Sequence, residues 1–253
     1  MEVVIAGSGN VATHLARALY EAGIRIRQIW SPTQLHAEEL ARTVDAEAVS
    51  APADIDRAAD LYILAVKDEA IETAAAALAG INAIVVHTSG TTLMNVLNGL
   101  PEHGVFYPLQ TFSKARAVDF SNVPICIEAG SPSTLSVLQQ LAYKLSTRVF
   151  QTDSEQRKAL HVAAVFANNF TNHLFHIAEE VLAGQALPFD ILRPLILETA
   201  AKVQTALPAV MQTGPARRND QLTIDKHLEW LQDKPEWAQL YDALSTSIKK
   251  TGK

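Results

Sequence analysis

The stretch that most constrains this 253-residue chain is its first, Met1-Glu2-Val3-Val4-Ile5-Ala6-Gly7-Ser8-Gly9-Asn10-Val11-Ala12. A short apolar run from Val3 to Ala6 reads as a buried strand, breaks at Gly7-Ser8-Gly9-Asn10, and gives way from Val11 to a helix with Leu15, Leu19 and Ala22 spacing. Strand, glycine turn and helix in that order form the Gly-x-Gly-x-x-Ala version of the dinucleotide fingerprint. Each small residue has a mechanical job: Gly7 permits the tight turn, Gly9 lets backbone approach a pyrophosphate, and Ala12 keeps the helix close to the strand. Free N–H groups and the positive dipole end of the first helical turn then favour a phosphate held by Gly7, Ser8, Gly9, Asn10 and Val11. The bland alternative is a glycine-rich strand-to-helix turn that holds no ligand.

Charge and cysteine content narrow the class. With 27 acidic against 21 basic residues, a net charge of -6 and no broad basic face, the chain is not expected to bind nucleic acid. The single cysteine, Cys126, lies in the apolar run Val123–Ile127, so it reads as a buried structural thiol in a reducing compartment. No apolar run approaches membrane-spanning length, and a strand starting at residue 2 leaves no room for a basic leader. The expected setting is the cytoplasm, with no membrane partner.

Strands and helices alternate through the first 152 residues. Strands are expected at residues 24–30, 46–49, 59–66, 83–86, 104–107, 123–128 and 147–151, and helices at 34–42, 69–79 and 133–145. That alternation predicts an α/β Rossmann domain over residues 1–152, with a doubly wound, mainly parallel sheet and ligands at the carboxyl ends of its strands. After Asp153 the texture changes. From Ser154 to Leu182 there is no Pro or Gly, and Leu160, Ala164, Phe166, Phe170, Leu174, Ile177 and Val181 keep helical spacing, which predicts one helix of ~40 Å. Further helices at 190–205, 221–231 and 235–248 complete an all-helical domain over residues 153–253, with only residues 249–253 expected to fray.

Candidate chemistry falls at the strand ends and on the long helix. The segment Gln28-Ile29-Trp30-Ser31-Pro32-Thr33 lacks the acid that grips the ribose of NAD, and Ser31 and Thr33 can donate to a 2'-phosphate, so NADP is expected over NAD. Val66-Lys67-Asp68 and His87-Thr88-Ser89-Gly90 should pass beside the ribose and nicotinamide, which makes Val66, Lys67, His87, Thr88 and Ser89 cofactor candidates and Ser89 and Gly90 substrate candidates. His87 reads equally well as a polar strand cap. Tyr107 is a possible donor or a buried tyrosine with a wet tip. On the long helix, His161, Asn168 and Asn172 share one expected face, and Asn169, His173 and His176 a neighbouring one. Hydride transfer to a carbonyl or imine needs a proton donor beside the receiving carbon, a role for which His161 is the candidate, with Asn168 or Asn169 holding the substrate or fixing the imidazole tautomer. The alternative is a packed, hydrogen-bonded helix histidine. His173, His176 and Glu180 have an i, i+3, i+7 spacing, but no further ligand group is evident and no metal is expected. In the loop Gly214-Pro215-Ala216-Arg217-Arg218-Asn219-Asp220, Arg217 and Arg218 can clamp an anion, whereas Asp220 reads as the cap of the next helix.

Taken together these segments resemble a known family, the Rossmann-like NADP oxidoreductases whose C-terminal half is a helical domain of unknown function, 6-phosphogluconate dehydrogenase C-terminal-like. The resemblance is carried by Gly7 to Leu15, Val66-Lys67-Asp68, His87 to Gly90, Tyr107 to Phe112, His161 to Ala164 leading to Asn168-Asn169-Phe170, and Thr213 to Arg217 with Asp220 and His227-Leu228. More distantly the layout is similar to the 3-hydroxyisobutyrate and 6-phosphogluconate dehydrogenases, pyrroline-5-carboxylate reductases and deazaflavin-dependent NADP reductases. The resemblance implies an NADP-linked reaction and a homodimer formed through the helical domain. It also marks a departure: hydroxyacid dehydrogenase relatives place a catalytic Lys four residues before the helix Asn, where this chain has the apolar Ala164 and Val165.

The reading that follows is an oxidoreductase moving hydride between NADPH and a small anionic carbonyl or imine. His161 would be the acid/base, Asn168 or Asn169 the orienting amide, and Arg217 or Arg218 the anion clamp. The alternative is an NADP-binding sensor or scaffold dimer without turnover, which the missing lysine favours.

Overall fold

The computed structural model describes residues 1–251. It divides into two compact units, Met1–Asn169 and a second unit from Phe170 onward. The first contains an eight-stranded sheet in the order β3-β2-β1-β4-β5-β6-β7-β8. The strands are β1 (Glu2–Ala6), β2 (Arg25–Trp30), β3 (Glu47–Val49), β4 (Leu61–Leu64), β5 (Ile84–His87), β6 (Glu102–Pro108), β7 (Ile125–Ala129) and β8 (Val149–Gln151). Helices α1 (Asn10–Glu21), α2 (Gln34–Ala41), α3 (Ile71–Ala77) and α4 (Pro132–Leu145) connect them.

β1 shows how sequence pattern becomes architecture. Its residues are apolar without alternation because both faces are covered. Val3 and Ile5 pack with Leu15 and Leu19 of α1 on one side. Val4 and Ala6 pack with Tyr62, Leu64 and Ile71 on the other. Strand order reverses beside β1, which pairs in parallel with β2 on one edge and β4 on the other. The crevice at the carboxyl ends of β1 and β4 is therefore the topological switch point of the sheet. One departure from the parallel pattern is β7, which runs antiparallel to β6 and parallel to β8.

The predicted long helix is present as a continuous helical run with one irregular turn. α5 (Ser154–Ala164) is opened by a capping box, in which the Asp153 carboxylate accepts from the Gln156 N–H and the Gln156 side chain accepts from the Asp153 N–H. Contacts group α5 with the sheet. A π-helical turn, Val165–Phe170, joins it to α6 (Thr171–Ala183). A π turn takes up an extra residue, so positions beyond it rotate by about 100° relative to an uninterrupted α-helix.

The second unit continues with α7 (Arg193–Thr205), α8 (Pro208–Met211), α9 (Gln221–Trp230) and α10 (Pro235–Thr251). The short α8 was not expected. α10 reaches Thr251, so the fraying expected from Lys249 onward does not occur as far as that residue; Lys249 donates to the Gln221 side-chain oxygen at 2.6 Å. Gly252 and Lys253 lie outside the described residues. Among the described residues of this unit only Ala216, Ile224, Leu231 and Ser245 are buried, and no described helix is long and apolar enough to cross a membrane.

Candidate active site

The glycine loop is built at the switch point as its sequence requires. Gly7 has φ +119°, and a Cβ there would lie 2.2 Å from the Ala65 carbonyl oxygen at the end of β4. The same loop is fastened to β2 by the Gly7 N–H, which donates to the Trp30 carbonyl at 2.7 Å. Gly9 N-caps α1 without any side-chain cap, and nothing lies within 4 Å of where its Cβ would stand. Open space above uncapped helix N–H groups is the cradle that a pyrophosphate fits. Ser8 and Ser31 join the loop to the end of β2, their hydroxyls 2.9 Å apart. Ser31 is thus buried, whereas Thr33 is exposed. Arg27 is committed elsewhere, paired with Glu2 at 2.5 Å and with Asp56.

The loops after β4 and β5 are tied together. Thr91 donates its hydroxyl to Asp68 at 2.5 Å, and the Ser89 hydroxyl accepts from the N–H groups of Thr91 and Thr92 at 3.1 and 2.9 Å. His87 is fully buried. Its Nδ1 accepts from the Ser89 N–H at 3.2 Å, and burial, with Arg157 nearby, lowers its pKa to about 4. A neutral imidazole therefore shapes its own loop. Thr88 and Ser89 are also buried, while Val66 is half-buried and Lys67 is exposed beside Glu69.

Gly90 makes its close approach to the helix. A Cβ on Gly90 would stand 2.5 Å from His161 Nδ1 and 3.0 Å from Tyr107 Cζ. The absence of that carbon lets the half-buried His161 ring lie over the loop. Tyr107, near the end of β6, completes the enclosure with its hydroxyl 3.1 Å from His161 Nδ1. Burial pushes the Tyr107 phenol up to about 12, so it stays un-ionised. Cys126, paired with Tyr107 across the β6–β7 ladder, is a buried thiol whose pKa burial also raises.

What holds His161 over Gly90 is a residue that sequence reasoning missed. Arg157, one turn earlier on α5, is buried and ion-paired with Glu128 of β7. Its remaining donors reach the Ser89 carbonyl at 3.1 Å, the Thr92 carbonyl at 2.5 Å and the Ser154 hydroxyl at 3.2 Å. One guanidinium thus joins α5, β7 and the β5 loop. Its only sequence signal was the i, i+4 spacing to His161.

His161, Tyr107, Asn168 and Asn169 line one cavity of about 390 Å³, with Gln110, Thr111 and the apolar Ala164 and Val165. The expected face of His161, Asn168 and Asn172 is corrected here. Asn168 and Asn169 lie together on the His161 cavity because both belong to the π turn, whereas Asn172 lines a separate cleft in the second unit with His176, Glu179 and Arg193. His176 meets Glu179 at 3.6 Å, and no group of three metal-ligating side chains occurs among the described residues. In the second unit Arg217 and Arg218 are exposed in a tight turn between Gly214 (φ +104°) and Asn219 (φ 54°). Asp220 caps α9, accepting from the Thr223 N–H at 3.1 Å.

Residues 2–89 match the family model described as NADP oxidoreductase coenzyme F420-dependent, and residues 123–248 match the domain of unknown function DUF2520. The chain is 47% identical to a "putative NADP oxidoreductase" of Bacteroides fragilis, covering 98% of each chain with a TM-score of 0.93. It shares its fold with an imine reductase of Myxococcus stipitatus solved with NADP+, at 13% identity over 99% of this chain and 93% of that one, TM-score 0.72. A pyrroline-5-carboxylate reductase of Coxiella burnetii has the same fold, at 15% identity over 99% and 98% of the two chains, TM-score 0.60. No curated protein matches. The chain therefore belongs to the NADP oxidoreductase family that joins this nucleotide-binding domain to DUF2520, and it is a pyridine-nucleotide-dependent oxidoreductase.

Proposed function

We propose that the protein is an NADP-linked reductase acting on a small carbonyl or imine that carries an anionic group. The observation that carries this reading is the cavity shared by His161, Tyr107, Asn168 and Asn169 beside the Gly90 loop. β6, which bears Tyr107, is three strands from β1 in the sheet order, about 14 Å at the usual strand spacing. Gly7 to Val11 would hold the pyrophosphate of the dinucleotide, and the loops after β4 and β5 follow the strands that separate β1 from β6. When bound, NADPH supplies the hydride. His161 gives the proton that the carbonyl oxygen or imine nitrogen takes up, and Asn168 or Asn169 orients the substrate. Arg217 or Arg218, exposed in the second unit, is the proposed anion-binding group.

The preference for NADP rests on the acid-free end of β2, with Ser31, Ser8 and the exposed Thr33 as neutral donors to a 2'-phosphate. A second copy of the chain is the proposed partner. α6, α7 and α8 contain no buried residue, while Leu195, Leu197, Leu207 and Val210 are 62, 71, 75 and 72% exposed. Apolar surface of that extent on helices marks an association face. The lone buried cysteine fits a reducing compartment, and the proposal sets the enzyme in the cytoplasm.

The test is a panel of cyclic imines and 2-oxo acids incubated with the full chain and NADPH or NADH, followed by reduced-nicotinamide absorbance. The expected result is turnover with NADPH that His161→Ala abolishes while NADPH still raises the melting temperature. NADPH that stabilises the protein and is oxidised by no member of the panel would count against the reaction and leave a nucleotide-binding protein.

A further inference from the structure

We propose that Tyr107 is a positioning residue that holds the hydrogen of the His161 imidazole on Nδ1, leaving Nε2 as the nitrogen that exchanges the substrate's proton. This rests on His161 being the acid/base. Three features of the ring's surroundings carry it. The Tyr107 hydroxyl stands 3.1 Å from Nδ1. The two ring centroids are 6.2 Å apart at 59°, so the pair meets through the hydroxyl and not by stacking. Gly90 closes the same edge, since its Cβ position would be 2.5 Å from Nδ1. With Nδ1 taken by Tyr107 and shut in by Gly90, Nε2 is left for a ligand in the cavity that both side chains line.

Proton accounting follows. In the reducing direction the protonated imidazole gives its Nε2 proton to the carbonyl oxygen or imine nitrogen as the adjacent carbon accepts hydride. The imidazole is left neutral, with a lone pair on Nε2 and its hydrogen on Nδ1 shared with the Tyr107 oxygen. Tyr107 neither gains nor loses a proton, in keeping with a phenol that burial holds un-ionised. A proton from solvent returns to Nε2 before the next cycle. The arrangement does with a neutral phenol what a carboxylate does in other histidine sites, fixing tautomer and ring orientation. The titratable and charged groups around Tyr107 are Arg157 from α5, Asp68 after β4 and Cys126 of β7, all retained when only the hydroxyl is removed.

The direct test is nitrogen NMR of the full chain with labelled histidine, comparing wild type, Tyr107→Phe and, for assignment, His161→Gln. The expected result is a neutral His161 with its hydrogen on Nδ1 in the wild type and on Nε2 in Tyr107→Phe. A wild-type ring already carrying hydrogen on Nε2, or a tautomer that Tyr107→Phe leaves unchanged, overturns the proposal. With any panel substrate that turns over, Tyr107→Phe is expected to lower kcat roughly tenfold with little change in KM for NADPH, and to move the alkaline fall of activity to lower pH. If the tautomer responds as expected but His161→Ala retains full turnover, the acid/base reading has failed while the Tyr107 contact stands as structure alone.

Discussion

The buried guanidinium of Arg157 is paired with the Glu128 carboxylate one helical turn before His161, so the ion pair that fastens α5 to the sheet also sets where the candidate acid/base lies. Removing one partner of such a pair strands the other charge in a poorly hydrated place. Arg157→Met should destabilise the protein by about 3–5 kcal/mol, whereas Arg157→Met with Glu128→Leu should regain most of that loss. Denaturant unfolding of the two variants checks this; a single variant as stable as wild type would refute it.

Gly7 and Gly9 predict opposite outcomes. The Gly9 Cβ position is open and its φ is -76°, so Gly9→Val should cost no more than about 1 kcal/mol of stability yet sharply weaken NADPH binding, because the new side chain fills the cradle. Gly7→Ala combines a disfavoured φ with a collision against the Ala65 carbonyl and should damage the fold itself. Calorimetric titration beside a melting curve separates binding from folding. Normal NADPH affinity in Gly9→Val would remove the pyrophosphate site from this loop.

His87 makes stability depend on pH. Burial lowers its pKa from 6.5 to about 4, so between those values the unfolded chain binds a proton that the folded chain refuses. The neutral ring's contribution is complete above pH 6.5 and is lost progressively as pH falls towards 4, about 3 kcal/mol in all. His87→Gln, which keeps an acceptor for the Ser89 N–H, should flatten that acid limb in midpoint-versus-pH measurements. An unchanged limb would assign the dependence to other groups.

The exposed leucines of α7 should report association. Leu195→Glu with Leu197→Glu places charges on side chains that are 62 and 71% exposed, so within a monomer the change should be nearly neutral. In a homodimer buried on this face it should shift sedimentation to the monomer at micromolar concentration. A monomeric wild type would remove the proposed partner.

How far the sequence spoke depends on how local each feature is. The glycine loop was legible because Gly7, Gly9 and Ala12 act within a single turn, and the apolar run of β1 predicts a strand covered on both faces. The Arg157–Glu128 pair was not, because its members are separated by α4 and β8 and meet only through the antiparallel placement of β7. The π turn was hidden too: Val165-Phe166-Ala167-Asn168-Asn169-Phe170 carries no Pro or Gly, and its composition suits an ordinary α-helix. His87 is a strand-end histidine in either reading, and only its burial reveals a neutral structural ring.

In genetic terms the π turn is a one-residue insertion. A chain one residue shorter between Val165 and Phe170 would keep an unbroken α-helix, and its composition would be almost unchanged. Side chains within the turn would lose the extra residue's width, which now brings the adjacent Asn168 and Asn169 together onto the cavity of His161. The number of residues in that turn, more than their identity, decides which amides share a cavity with the imidazole, so loss of a single codon there would alter the site more than many substitutions could.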